Sequence, residues 1–159
     1  MIFQIDMSGT DLLKKDSVLA ISNGEGLIRG FQISQEIING LLINWEKGKY
    51  FCRYSKRGLG FFKAMIYSSI ICCLLESIGN LKEVELEICH DLKFHENNIQ
   101  QRLNKLLRKK LMITINSIVF KSLKGSDVDN YAYLMVKDKY NLLPTYVNLS
   151  LNDIEKFLN

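Results

Sequence analysis

The chain has 159 residues, 47% of them apolar, with 21 Lys+Arg, 17 Asp+Glu and a net charge of +4. This is the size and apolar content of one globular domain with a proper core, and it excludes a disordered or strongly polyanionic chain. The charge permits a nucleic-acid partner without demanding one.

In chain order, residues 2–7 read as an apolar strand that ends on Asp6 and turns on Ser8-Gly9. A strand tip holds a carboxylate rigidly with its oxygens facing outward, which suits hard cations such as Mg²⁺. Asp-x-Ser-Gly is equally ordinary turn chemistry. Residues 17–22 read as a second strand. Asn23-Gly24-Glu25-Gly26 is a hairpin signal, because both glycines accept positive φ, and residues 27–33 return as a third strand. Ser34 then caps a helix running to about Trp45, with Glu36 in its first turn.

The stretch 46–57 is polar and basic. Lys49, Arg53, Lys56 and Arg57, interleaved with Tyr50, Phe51 and Tyr54, pair phosphate contacts with base-stacking surfaces; a solvated surface explains such a run as simply. Residues 59–78 are apolar on nearly every face, as in a helix buried in a core. Lys63 and Glu76 bracket only twelve uncharged residues, short of the ~20 that a membrane span needs.

Residues 83–89 alternate, with Val84, Leu86 and Ile88 on one face and Glu83, Glu85 and Glu87 on the other: a half-buried strand. It ends at His90-Asp91, a second carboxylate at a strand tip. Residues 94–110 carry an apolar stripe of Ile99, Leu103, Leu106 and Leu107, with Arg102, Lys105, Arg108 and Lys109 outside it, and read as one amphipathic helix. Residues 112–120 are strand-like. Ser126 caps the next helix, with Asp129 three residues on and Val128, Tyr131, Ala132 and Met135 on its inner face. Ser150 caps a last short helix, 151–158.

Cysteines 52, 72, 73 and 89 form no C-x-x-C pair and suit a reducing cytosol. No basic start followed by an apolar stretch opens the chain, so no secretory signal is expected and the location expected is cytoplasmic. A single proline, Pro144, and the lack of low-complexity tracts argue for one domain over 1–159.

Three strands joined by short turns, then strands separated by helices, predict an α/β fold with a five-stranded mixed sheet. The first three strands are antiparallel; the fourth and fifth lie parallel to the first through crossover helices. This order resembles the ribonuclease H-like superfamily over roughly residues 1–140, leaving 150–158 as a C-terminal helical extension. Within it, Ile5-Asp6-Met7-Ser8-Gly9 is most similar to little-characterised proteins whose first strand ends in D-E-S-G. Met7 stands where that group has a second acid, and the bulky Tyr131 and Tyr133 are unusual in the last helix.

The resemblance implies a metal-dependent nuclease. Its first carboxylate falls on Asp6, the strand-four carboxylate on Asp91, and the last-helix acid on Asp127 or Asp129. A further acid falls on Glu36, with Glu76 second. In that chemistry two Mg²⁺ or Mn²⁺ ions about 3.5–4 Å apart clamp the attacking and leaving oxygens of a phosphodiester. Asp6 would bridge both ions, Asp91 would hold one and Asp129 the other. At least one of these acids should then have a raised pKa without metal. His90 or His95 would assist proton transfer, or serve merely as surface histidines. The rival readings are a catalytically inactive adaptor of the same fold, binding nucleic acid or protein, and an unrelated α+β interaction domain. An actin-like ATPase would need a second phosphate loop and a second lobe.

Overall fold

The computed structural model describes residues 1–9, 11–138 and 146–159; Thr10, at the end of the opening motif, lies outside them. Strands β1 (Ile2–Ser8), β2 (Val18–Ser22), β3 (Ile28–Gln32), β4 (Glu83–Ile88) and β5 (Thr114–Phe120) form one sheet in the order β3-β2-β1-β4-β5. The β1–β2 and β2–β3 pairs are antiparallel, whereas β4 pairs parallel with both β1 and β5. The mixed five-stranded α/β sheet expected from the element order is therefore present. The β2–β3 turn closes as its residues dictate: the Asn23 Oδ1 accepts from the Glu25 and Leu27 N–H groups at 2.8 and 3.1 Å.

Helices α1 (Gln35–Glu46), α2 (Gly58–Ile78), α3 (Glu96–Leu106), α4 (Asp127–Lys137) and α5 (Leu151–Glu155) cover both faces of the sheet. On one face the main core joins Phe3, Ile5, Leu19, Ile21, Leu86 and Ile88 to α2. Helix α2 is apolar all round because it is enclosed all round, with β2 and β3 beneath it and α3 and α5 packed against it. The last helix, expected over 151–158, ends at Glu155, and it and the turn after it belong to this core, since Ile154, Phe157 and Leu158 are buried in it. On the other face α4 lies across β1, β2 and β3, burying Val128, Ala132 and Met135 against Val18 and Ala20. Met135 sits where Gly30 of β3 has no side chain; a Cβ there would overlap the Met135 Sδ.

Three further expectations need correction. The single helix over 94–110 is instead a 3₁₀ turn (Lys93–His95), α3, and one π-helical turn (Leu107–Leu111). The wide turn ends at Met112, whose left-handed φ of 56° reverses the chain, and the Ile113 N–H closes onto the Leu107 carbonyl. For the same reason β5 starts at Thr114, not at residue 112. In addition, Tyr131 is only half-buried on α4, so the inner face is Val128, Ala132 and Met135.

Candidate active site

Alternation along β1 decides which face Asp6 takes. Phe3 and Ile5 point into the main core, so Asp6, paired in register with Ala20, falls on the α4 face. Asp6 is 4% exposed. Because β4 runs parallel beside β1, with Ile5 opposite Ile88, the residues just past Ile88 arrive at the same tip. Asp6, Cys89 and Asp91 consequently offer ligand atoms that all lie within 4.8 Å of one another. Asp129 reaches the same place from the first turn of α4 and shares a side-chain hydrogen bond with Asp6.

Each carboxyl is oriented. The Met7 N–H donates both to the Asp6 Oδ1 (3.0 Å) and to the Asp91 Oδ2 (3.2 Å), tying the two strand tips together. The Tyr67 hydroxyl, rising from α2 on the far side of the sheet, donates to the same Asp91 oxygen at 2.8 Å. One turn earlier on that helix, the Lys63 Nζ pairs with the Asp11 Oδ2 at 2.8 Å, just past the end of β1. Asp129 is fixed twice, with its N–H donating to the Ser126 Oγ (3.3 Å) and its Oδ2 accepting from the Gly125 N–H (2.8 Å).

The electrostatics are those of acids crowded out of water. Burial pushes Asp6 up to about 6, and the neighbouring Asp129 carboxyl adds to the rise against the Cys89 thiol and the Met7 N–H. Burial likewise raises Asp91 to about 7, with the Asp6 charge adding to it and Tyr67 and Met7 opposing. Cys89 is raised to about 11, chiefly by burial; it stays a thiol and donates toward Asp6. Burial, followed by the Asp91 charge, keeps Tyr67 protonated. Asp6 and Asp91, beside a thiol that remains protonated and with Asp129 adjoining Asp6, offer oxygen donors of the kind that hard divalent cations accept.

The other sequence candidates lie elsewhere. Asp127 is exposed in the first turn of α4. Glu36 is exposed at the start of α1, lining a groove with Leu149, Ser150 and Leu151. Glu76 is ion-paired with Lys156 in the last turn of α2, nine residues beyond Tyr67. His90 pairs with Glu96 at 2.5 Å, and the His95 ring lies against Gly60 of α2. Lys49 is held by Glu155 at 2.9 Å. Arg53, Lys56 and Arg57 are exposed, and among the described residues they form no ion pair. Arg102 of α3 and Lys110 of the π-helical turn are spent on the chain itself, donating to the carbonyls of residues 156–159.

Sequence reasoning missed Tyr67, Lys63 and Cys89 as site residues. A signal existed for the first two: a phenol in an apolar helix needs a partner, and Lys63, four residues earlier, shares its face. Cys89 stands out in the sequence only beside His90 and His95, a spacing too loose for a zinc site, and nothing there pairs it with Asp6.

No family model, curated protein or solved structure matches this chain.

Proposed function

We propose that the chain is a ribonuclease H-like, Mg²⁺- or Mn²⁺-dependent nuclease that hydrolyses nucleic-acid phosphodiesters. The observation that carries this reading is the meeting of Asp6 and Asp91 at adjacent parallel strand tips, with Asp129 brought to Asp6 by the helix after β5. Asp6, Asp91 and Asp129 would hold the cations. When bound, these would supply Lewis acidity at the attacking and leaving oxygens of an in-line displacement. The chain's own part is orientation: the Met7 N–H aligns both strand-tip carboxyls and the Tyr67 hydroxyl steadies Asp91. The raised Asp6 and Asp91 fit acids that await a cation, because gathering them without one is repulsive.

The test is a panel of labelled single strands, duplexes, hybrids and junctions, with and without Mg²⁺ or Mn²⁺. It compares wild type with Asp6→Asn and Asp129→Asn. Metal-dependent cleavage abolished by Asp6→Asn supports the nuclease; cleavage that persists in Asp6→Asn refutes this site. One observation favours the second reading, a non-catalytic adaptor of the same fold: the Asp91 Oδ2 already accepts two hydrogen bonds. No cleavage of any substrate, together with no Mn²⁺ binding by calorimetry, assigns the site to that adaptor.

A further inference from the structure

Folding does not explain a group of aromatic side chains at the acid-bearing end of the molecule. Phe94 is 95% exposed, Phe51 85%, Tyr54 55% and Phe61 37%. Scattered exposed hydrophobics are normal, but these surround the first turns of one helix. The His95 ring seats the Lys93–His95 turn on Gly60, so Phe94 and Phe61 adjoin the two sides of a single contact. On the neighbouring flank, the Arg53 carbonyl lies so close to Gly58 that no Cβ fits between them, and Tyr54 stands edge-on to Trp45 at 4.8 Å.

Chain geometry fixes how near this rim is to the acids. Phe94 follows Asp91 by three residues, so their Cα atoms are within about 11 Å. Phe61 precedes Tyr67 by six residues, about 9 Å along the helix axis, and Tyr67 touches Asp91. Arg57, at the N-cap of α2, is about 15 Å along that axis from Tyr67. The rim is also cationic: Arg53, Lys56, Arg57 and Lys93 are exposed and form no ion pair among the described residues.

Exposed aromatic faces among unpaired cations complement one kind of polymer. A continuous duplex keeps its bases stacked on one another and offers only phosphates to such a surface, whereas unpaired nucleotides offer phosphates and free base faces together. We propose that this rim binds unpaired nucleotides, with Phe94 and Phe61 as base-stacking platforms and Arg57 and Lys56 as phosphate contacts. The substrate class is then a single strand or a junction carrying an unpaired segment. The inference deepens the nuclease reading and rests on its nucleic-acid partner.

The test is fluorescence anisotropy in EDTA with a labelled oligothymidine strand and a labelled duplex of equal length. Phe94→Ala is expected to weaken single-strand binding about 5- to 150-fold, and duplex binding less than about twofold. Phe94→Leu, which keeps apolar area but not the ring, is expected to follow Phe94→Ala. Arg57→Gln should weaken both substrates and reduce the salt slope by about one. Phe94 touches solvent almost everywhere, so these variants keep the fold, and circular dichroism checks this. Single-strand binding unchanged in both Phe94→Ala and Phe61→Ala, or an equal fall on strand and duplex, overturns the proposal. Cleavage lost in Asp6→Asn, with single-strand binding unaffected by the Phe variants, would remove the stacking rim and keep the nuclease. Selective loss of single-strand binding in a protein that cleaves nothing would do the reverse.

Discussion

Asp6→Asn separates a strained, cation-seeking carboxylate from a turn residue without any substrate. In the metal-free protein Asp6 titrates at about 6 instead of 3.8, so the folded state binds more protons than the unfolded chain between these values. Stability from this group is therefore fully present below about pH 4 and is lost as pH rises through 6. At 1.36 kcal/mol per pKa unit the whole shift is worth about 3 kcal/mol; allowing for solvent reaching the strand tip, about 1–3 kcal/mol remains. Asparagine cannot ionise, its Oδ1 still accepts from Met7, and its amide removes the conflict with Asp129. Urea denaturation in EDTA should find Asp6→Asn about 1–3 kcal/mol more stable than wild type at pH 8 and equal to it at pH 4, with the same m-value. Added Mn²⁺ should stabilise wild type, because it binds only the folded site, and should stabilise the variant less. A variant less stable than wild type at pH 8, or one with the wild-type pH slope, would refute the reasoning.

Tyr67→Phe should cost about 1–2 kcal/mol at pH 8, read from the urea midpoint, because Asp91 loses a buried donor. The same change should move the Asp91 titration, followed by NMR, above its present value of about 7. Gly30→Ala should destabilise by about 1–3 kcal/mol in the same assay, since its Cβ overlaps the buried Met135. Glu155 is a hub, accepting from Tyr50 (2.7 Å), Lys49 (2.9 Å) and Asn44 (3.2 Å). Burial works against its charge, but these donors hold it below the usual range. Its contribution is therefore present above pH ~4.5 and lost as pH falls through the lower folded value. Glu155→Gln should cost about 1–2 kcal/mol at pH 7, and thermal melts should show that gap closing in acid.

The parts legible in the sequence were those set by local rules. Alternation over residues 83–89 specified the β4 face, the Asn-Gly hairpin its turn, and the unbroken apolar run of α2 its enclosure. Adjacency of β1 and β4 was implied by the ribonuclease H-like resemblance, and in the structure it carries Asp6 and Asp91 to one tip. Contacts that depend on how elements slide past one another were not legible. The reach of Tyr67 to Asp91 is set by where α2 lies over the sheet, which no local pattern specifies. Arg102 read as part of a free basic face, because nothing local says that residues 157 and 158 will return to occupy it. The π turn escaped for a different reason: over five residues, Leu106, Leu107 and Leu111 satisfy a 3.6-residue stripe and a wider turn alike.

The all-round enclosure of α2 bears on how the chain leaves the ribosome. An 18-residue window within the helix has a mean hydropathy of 1.8, so before it is covered the nascent segment is a long apolar surface interrupted only by Lys63 and Glu76. The cover arrives late: α3 follows nearly twenty residues after α2 ends, and Ile154, Phe157 and Leu158 seal the core only once residues 151–158 have docked. During synthesis this surface therefore stays open until the C-terminal residues dock, and Lys63 and Glu76 are the charges that keep it from being apolar throughout.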